Sequence, residues 1–321
     1  MLIVQKFGGS SLRDPERLRH VARLCLKAHE KAELFVVVSA MGGTTDSLTG
    51  RAREMNEKPS PRELDALVTT GEQQAAALLV MTMEQLGLPA VSLTGWQAGI
   101  LTDKHFGDGE IRVIEPRRIR RELSLGFVPV VTGFQGVCAS GDITSLGRGG
   151  SDTTAAALAA ALEADACDIY TDVKGIYTAD PRVIPEARLL PAIDTRDMLA
   201  LSRAGSKVLH AKSVELALAD NVPLRLLSSF EEGPGSVVKL LPEAQRPRLA
   251  GLTGRAETGK ITLAGRGADA AALSEAVLLL SRADVEVRDG ALGENAMTVT
   301  VKKEDHPRAM QILHGEMILA S

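Results

Sequence analysis

Residues 144–159 read TSLGRGGSDTTAAALA. A glycine-rich loop here opens directly into an alanine-rich helix. The free N–H groups and dipole of a helix start attract an anion. Yet the loop matches neither common phosphate signature. A G-x-G-x-x-G fingerprint needs glycine at 152, where Asp152 stands, and no Gly-Lys-Ser/Thr triplet exists for a P-loop. Arg148 sits between two glycines. A guanidinium there suits a carboxylate or a phosphate, while Ser151 and Asp152 are also ordinary helix-capping residues.

Working outward, short apolar runs alternate with helical segments. LIVQKF (2–7), LFVVVS (34–39), AVSLTG (90–95), VPVVTGF (128–134), DIYTDV (168–173) and PLRLLS (223–228) read as buried strands. Asp14-Pro15 is a helix start, followed by Leu18, Val21, Leu24, Cys25 and Ala28 at helical spacing. Residues 61–86 read as two helices meeting near TTGEQ. The pattern predicts an α/β fold with a mainly parallel central sheet covered by helices on both faces. Ligands gather at the carboxyl ends of such strands, and the chemistry-bearing loops follow strands.

Composition narrows the function. The chain has 321 residues, 45% apolar and 24% charged, with a net charge of −4. That excludes the basic footprint of a nucleic-acid binder. The run PRRIRRE (116–122) reads as a solvated helix face. Cys25, Cys138 and Cys167 are too scattered for a disulfide framework or a zinc site. No run approaches the ~18 apolar residues of a membrane span, and the first ten residues lack a signal-peptide pattern. A cytoplasmic protein is the expectation.

Three further loops bear chemistry. KFGGSSL (6–12) places Lys6 before Gly8, Gly9 and Ser10, a backbone cradle with a mobile cation. The same residues make a tight turn. SAMGGTTDSL (39–48) offers Ser39, Thr44, Thr45 and Asp46, and taken alone reads as a helix cap. TDVKGIYTADPR (171–182) offers Thr171, Asp172, Tyr177, Asp180 and Arg182, or a hairpin-like turn.

In this order, with TTGEQQAAALL, GFQG and GSKVLHAKSVELA, these blocks resemble the aspartate kinase family of amino acid kinases over about 210 residues. The resemblance implies ATP-dependent phosphorylation of the side-chain carboxylate of L-aspartate, with Mg2+ accompanying ATP. It implies that Lys6, Arg148 and Asp152 are catalytic. ATP would meet Lys6, Gly8, Gly9, Ser10, Thr171, Asp172, Tyr177, Asp180, Arg182 and Lys207. Aspartate would meet Ser39, Thr45, Glu72, Arg148, Gly149, Gly150 and Ser151, with Glu72 suited to its ammonium group. The alternatives are an acetylglutamate or glutamate 5-kinase, or a catalytically silent amino-acid sensor. Two positions depart from the family: Lys174 replaces the usual Asp of T-D-V-D-G, and Ala211 replaces a proline.

Residues 231–249, with three prolines and two glycines, read as a domain boundary. Beyond it the pattern is strand, helix, strand, strand, helix. The expected organisation is a catalytic domain over 1–235, a linker over 236–247, and one ACT-like module over 248–321. Such a module implies a homodimer and a lysine or threonine effector. Family members usually carry two ACT units.

Overall fold

A computed structural model describes residues 1–320; residue 321, the last position of the expected C-terminal module, lies outside the described residues. The chain divides into two compact units. The first comprises Met1–Lys174 and Ala219–Gly233, the second Gly175–Leu218 and the chain from Pro234 onward.

The first unit is built on six parallel strands. Their order across the sheet is Leu224–Ser228, Ala166–Thr171, Leu2–Phe7, Glu33–Val38, Val128–Thr132 and Ala90–Leu93. The apolar runs read from sequence occupy these strands. Alternation along each strand divides the side chains between two faces. Phe7, Leu34, Val36 and Val38 pack with the helices Pro15–His29 and Thr70–Gln85 in one buried cluster. Asp14 caps the first of these helices by accepting the Arg17 N–H at 3.0 Å, and Pro15 opens it. On the other face, Val4 and Lys6 lie toward the alanine-rich helix Gly150–Ala161.

The expected pair of helices within 61–86 is Pro61–Val68 and Thr70–Gln85, with the break at Thr69. A second, four-stranded sheet had no counterpart in the sequence reading. Its order is Ile111–Ile114, Ile100–Thr102, Gln135–Cys138 and Ile143–Ser145. These strands have three or four residues each and no clean alternation, so no periodicity announced them. The GRGG loop therefore leaves this small sheet and not the central one.

The second unit holds a four-stranded antiparallel sheet, ordered Gly251–Arg255, Lys260–Ala264, Ala296–Val301 and Val287–Gly293. The helices Ala270–Arg282 and His306–His314 share a buried core with it. The strand Gly251–Arg255 escaped the sequence reading because two glycines fall within its five residues. Arg246 is buried in this unit. Its guanidinium reaches Asp197 at 2.5 Å, Asn295 at 2.9 Å and Glu243 at 3.1 Å.

Candidate active site

The parallel strands of the first unit end at one edge, and three expected loops leave from there. Lys6 is next to last in its strand. The following residues, Gly9–Leu12, form a short 3-10 turn. Gly9 must be glycine, because a Cβ would lie 2.7 Å from the Ala40 carbonyl oxygen. The close approach lets the Gly42 N–H donate to the Gly9 carbonyl at 3.0 Å. The Ser39 N–H donates to the Phe7 carbonyl at 3.1 Å. The KFGGSSL and SAMGGTTDSL loops are thereby knitted side by side. Gly43, with φ +84°, turns the chain into the helix Thr44–Met55, and Thr45 lies half-buried in its first turn.

Glu72 enters from the helix Thr70–Gln85. Gly71 allows this, since a Cβ there would meet the Ala40 Cβ at 2.9 Å. One Glu72 oxygen accepts the Ala40 N–H at 3.0 Å. The other, Oε2, is buried with no hydrogen-bond partner among the described residues. Burial pushes the carboxyl up to about 7 against the opposing Ala40 bond. Buried polar oxygens are nearly always hydrogen-bonded, so this one stands out.

The alanine-rich helix begins at Gly150, and Gly149, with φ +70°, is its N-cap; no side chain caps it. Ser151 and Asp152 lie inside the first turn, so the capping role read as an alternative for them is taken by Gly149. Asp152 Oδ1 instead faces Lys6 Nζ at 2.6 Å, and Lys6 is only 9% exposed. Arg148 is exposed and forms no ion pair among the described residues. Thus Lys6, Asp152 and the start of a helix dipole meet at one point, with two left-handed glycines, Gly147 and Gly149, flanking Arg148. A helix start and a desolvated ammonium both favour negative charge, and here the Asp152 carboxylate already faces the ammonium.

The remaining residues separate. Thr171 and Asp172 stay on the first unit, joined by a 3.1 Å hydrogen bond from Thr171 Oγ1. Lys174, at the unusual position, pairs with Glu231 at 2.7 Å. Tyr177, Asp180, Arg182 and Lys207 belong to the second unit. There Tyr177 lies in the short strand Ile176–Tyr177, paired with Leu189–Leu190. Asp180 holds Arg182 through two bonds of 2.9 and 2.7 Å. Those Arg182 bonds, with its N–H and the charge of Lys207, hold the Asp180 carboxyl below its usual range.

Sequence reasoning missed three contributors. Phe134, within the quoted GFQG, has φ +67°, rare for a non-glycine residue. Its N–H donates to Thr154 Oγ1 at 3.1 Å, and its carbonyl accepts the Leu146 N–H at 2.9 Å. Its ring crowds Gly150, where a Cβ would stand 2.8 Å from Cδ2. Ser229 bonds Ser11 at 2.7 Å and Thr171 O at 3.2 Å, tying two of the loops together. Asp65 is the third. Only the motif GFQG gave any signal; Ser229 and Asp65 look like ordinary polar residues in sequence.

A parallel sheet with loops gathered at one edge is the frame of a phosphoryl-transfer class, and the chain belongs to the amino acid kinase family, whose model matches residues 1–228. Its relatives narrow the class further. It is 46% identical to the aspartokinase of Pseudomonas aeruginosa over 97% of this chain and 78% of that protein. Among solved structures, it resembles the aspartate kinase from Synechocystis at 31% identity and a TM-score of 0.68, over 98% of this chain and 69% of that one. It also resembles E. coli aspartokinase III in complex with aspartate and ADP. That match has 26% identity and a TM-score of 0.74, over 94% of this chain and 79% of the other.

Proposed function

We propose that this chain transfers the γ-phosphoryl group of ATP to the side-chain carboxylate of L-aspartate, giving 4-phospho-L-aspartate. The observation that carries the reading is the pairing of two receptors at one sheet edge. Lys6 stands at a helix start, and the unpartnered Glu72 Oε2 is anchored to the loop that packs against Gly9. The first suits phosphates; the second suits an α-ammonium group. The similarity to aspartokinases favours aspartate over N-acetylglutamate or glutamate, and turnover over silent sensing.

The chemistry asks little proton transfer of the protein. A carboxylate nucleophile is ionised at neutral pH, so the work is positioning and charge stabilisation. Lys6 and the N–H groups of Gly8, Gly9 and Ser10 would neutralise phosphate oxygens. Asp152 would hold Lys6 extended before ATP arrives. Arg148 would take a substrate carboxylate, with Gly149, Gly150 and Ser151 shaping its loop, and Ser39 and Thr45 would line the amino-acid side. Thr171 and Asp172, on the first unit, are assigned to the nucleotide. Mg2+ would arrive on the ATP phosphates.

We further infer a catalytic domain over 1–235, a linker over 236–247 and an ACT-like module over 248–321. The module's edge strand Val287–Gly293 is exposed along nearly its whole length. Such an edge invites pairing with a second copy, and sedimentation of the purified protein tests the homodimer. Lysine and threonine are the effector candidates. Among the described residues no helix is long and apolar enough to cross a membrane, and a cytoplasmic location is part of this reading.

The decisive assay incubates the protein with ATP, Mg2+ and aspartate and traps the acyl phosphate with hydroxylamine. Hydroxamate with aspartate supports the reading. Hydroxamate only with N-acetylglutamate or glutamate replaces it with a related kinase.

A further inference from the structure

Asp65 is a buried acid that the reaction itself does not use. It lies on the helix Pro61–Val68 and is only 2% exposed. Its Oδ2 accepts the Gly107 N–H at 2.8 Å and the Ser145 N–H at 2.9 Å. Its Oδ1 accepts the Ser145 hydroxyl at 2.7 Å. One carboxylate therefore satisfies three donors from two segments distant in sequence.

Those segments flank the GRGG loop. Ser145 ends the strand Ile143–Ser145, and Leu146-Gly147-Arg148 follow immediately. The Gly109 N–H donates to the Ser145 carbonyl at 2.7 Å, so the segment around Gly107 is laid against the same strand end. That segment also confines the loop from outside, since a Cβ on Gly147 would collide with the Asp108 carboxylate. On the inner side, the Leu146 N–H is held by the Phe134 carbonyl. The root of the arginine loop is thus fixed from three directions, and Asp65 is the node joining two of them.

The structure assigns Asp65 as a positioning residue that sets the placement of Arg148, and through it the affinity for the acidic substrate. The assignment rests on the reading that Arg148 takes a substrate carboxylate. Asp65 touches no substrate; it acts through Ser145 and the loop that follows. Buried N–H groups without an acceptor are costly, so removing the carboxylate forces residues 145–147 to find other partners and moves the loop root. Misplacement by about 1 Å costs up to roughly a hundredfold in a catalytic step. The nucleotide side has no bond to this node and should be spared.

The test measures both Michaelis constants in three variants. Asp65→Ala should raise the aspartate KM about tenfold or more while the ATP KM stays within about twofold. Asp65→Asn should restore the aspartate KM to within about threefold of the parent. The amide oxygen can keep both N–H donors while its NH2 group donates to the Ser145 hydroxyl. Ser145→Ala, which removes one of the three bonds and is milder should Asp65→Ala fail to fold, should raise the aspartate KM by about two- to fivefold. The proposal is overturned by an unchanged aspartate KM in Asp65→Ala or, where that variant does not fold, in Ser145→Ala. It is also overturned by an equal rise in both constants, or by Asp65→Asn behaving like Asp65→Ala. Arg148→Ala is run alongside. If Arg148→Ala raises the aspartate KM and Asp65→Ala does not, the Arg148 reading stands and the Asp65 assignment falls; if Arg148→Ala leaves the aspartate KM unchanged, both fall.

Discussion

Lys6 Nζ lies 2.6 Å from Asp152 Oδ1, linking the first strand of the sheet to the first turn of the alanine-rich helix. Both side chains are largely withdrawn from water, with 11% and 17% of their surfaces exposed. An ammonium so placed cannot wander, and an incoming phosphate meets it already aimed. Lys6→Met should keep the fold, since it replaces a stem of similar length, and should lower kcat by roughly a hundredfold or more. Circular dichroism checks the fold and coupled release of ADP measures the rate. A kcat within tenfold of the parent would remove Lys6 from phosphoryl transfer.

Arg148 carries no ion pair among the described residues and stands exposed between two left-handed glycines. Arg148→Ala should raise the aspartate KM by about tenfold or more, leaving ATP binding nearly intact. Steady-state kinetics with each substrate varied in turn decides the point. A normal aspartate KM sinks the role.

Glu72 predicts a pH dependence. Burial raises its carboxyl from 4.5 to about 7 in the folded protein. Between those values the native state holds a proton that the unfolded chain has released. Its contribution to stability therefore falls as pH rises from about 4.5 to about 7, then levels off. Denaturation midpoints across that window should show the decline, and Glu72→Gln should flatten it. The same proton must leave before an ammonium group can bind well. Aspartate affinity should therefore climb with pH up to about 7 in the parent but not in Glu72→Gln.

Gly9 tests the knitting of the two loops. A Cβ there would stand 2.7 Å from the Ala40 carbonyl oxygen, a backbone atom that cannot swing aside. Gly9→Ala should destabilise the protein by about 1–3 kcal/mol and raise both Michaelis constants. An unchanged melting temperature would show that the loops separate freely.

Arg246 tests the second unit. It is 3% exposed, and its partner Asp197 is fully buried. Arg246→Ala strands that carboxylate and should cost about 3–5 kcal/mol. A melting curve within experimental error of the parent would contradict the burial.

Residue types alone point to the central sheet, because continuous apolar runs such as LFVVV and VPVVT have one stable destination, a strand covered on both faces. It also exposed the glycine-rich loops, since glycine at a strand end announces close backbone approach. Arg148 stood out because a loop needing only flexibility has no use for an arginine between glycines, whereas Lys6 and Asp152 drew their weight from the family resemblance. The small sheet stayed hidden, as its strands are too short for periodicity to accumulate. Asp65 and Ser229 stayed hidden for another reason: a polar residue in an ordinary helix or loop looks solvated until its partners, 80 and 218 positions away, are brought to it. Phe134 lies in the motif GFQG, but nothing in that motif announces its left-handed backbone. Only the tertiary structure decided that Gly149 caps the helix and that Asp152 turns to Lys6. It decided, too, that Glu72 keeps one oxygen buried without a donor. Hydrogen-bond satisfaction and desolvation are settled by three-dimensional neighbours, and a linear pattern of residue types does not contain them.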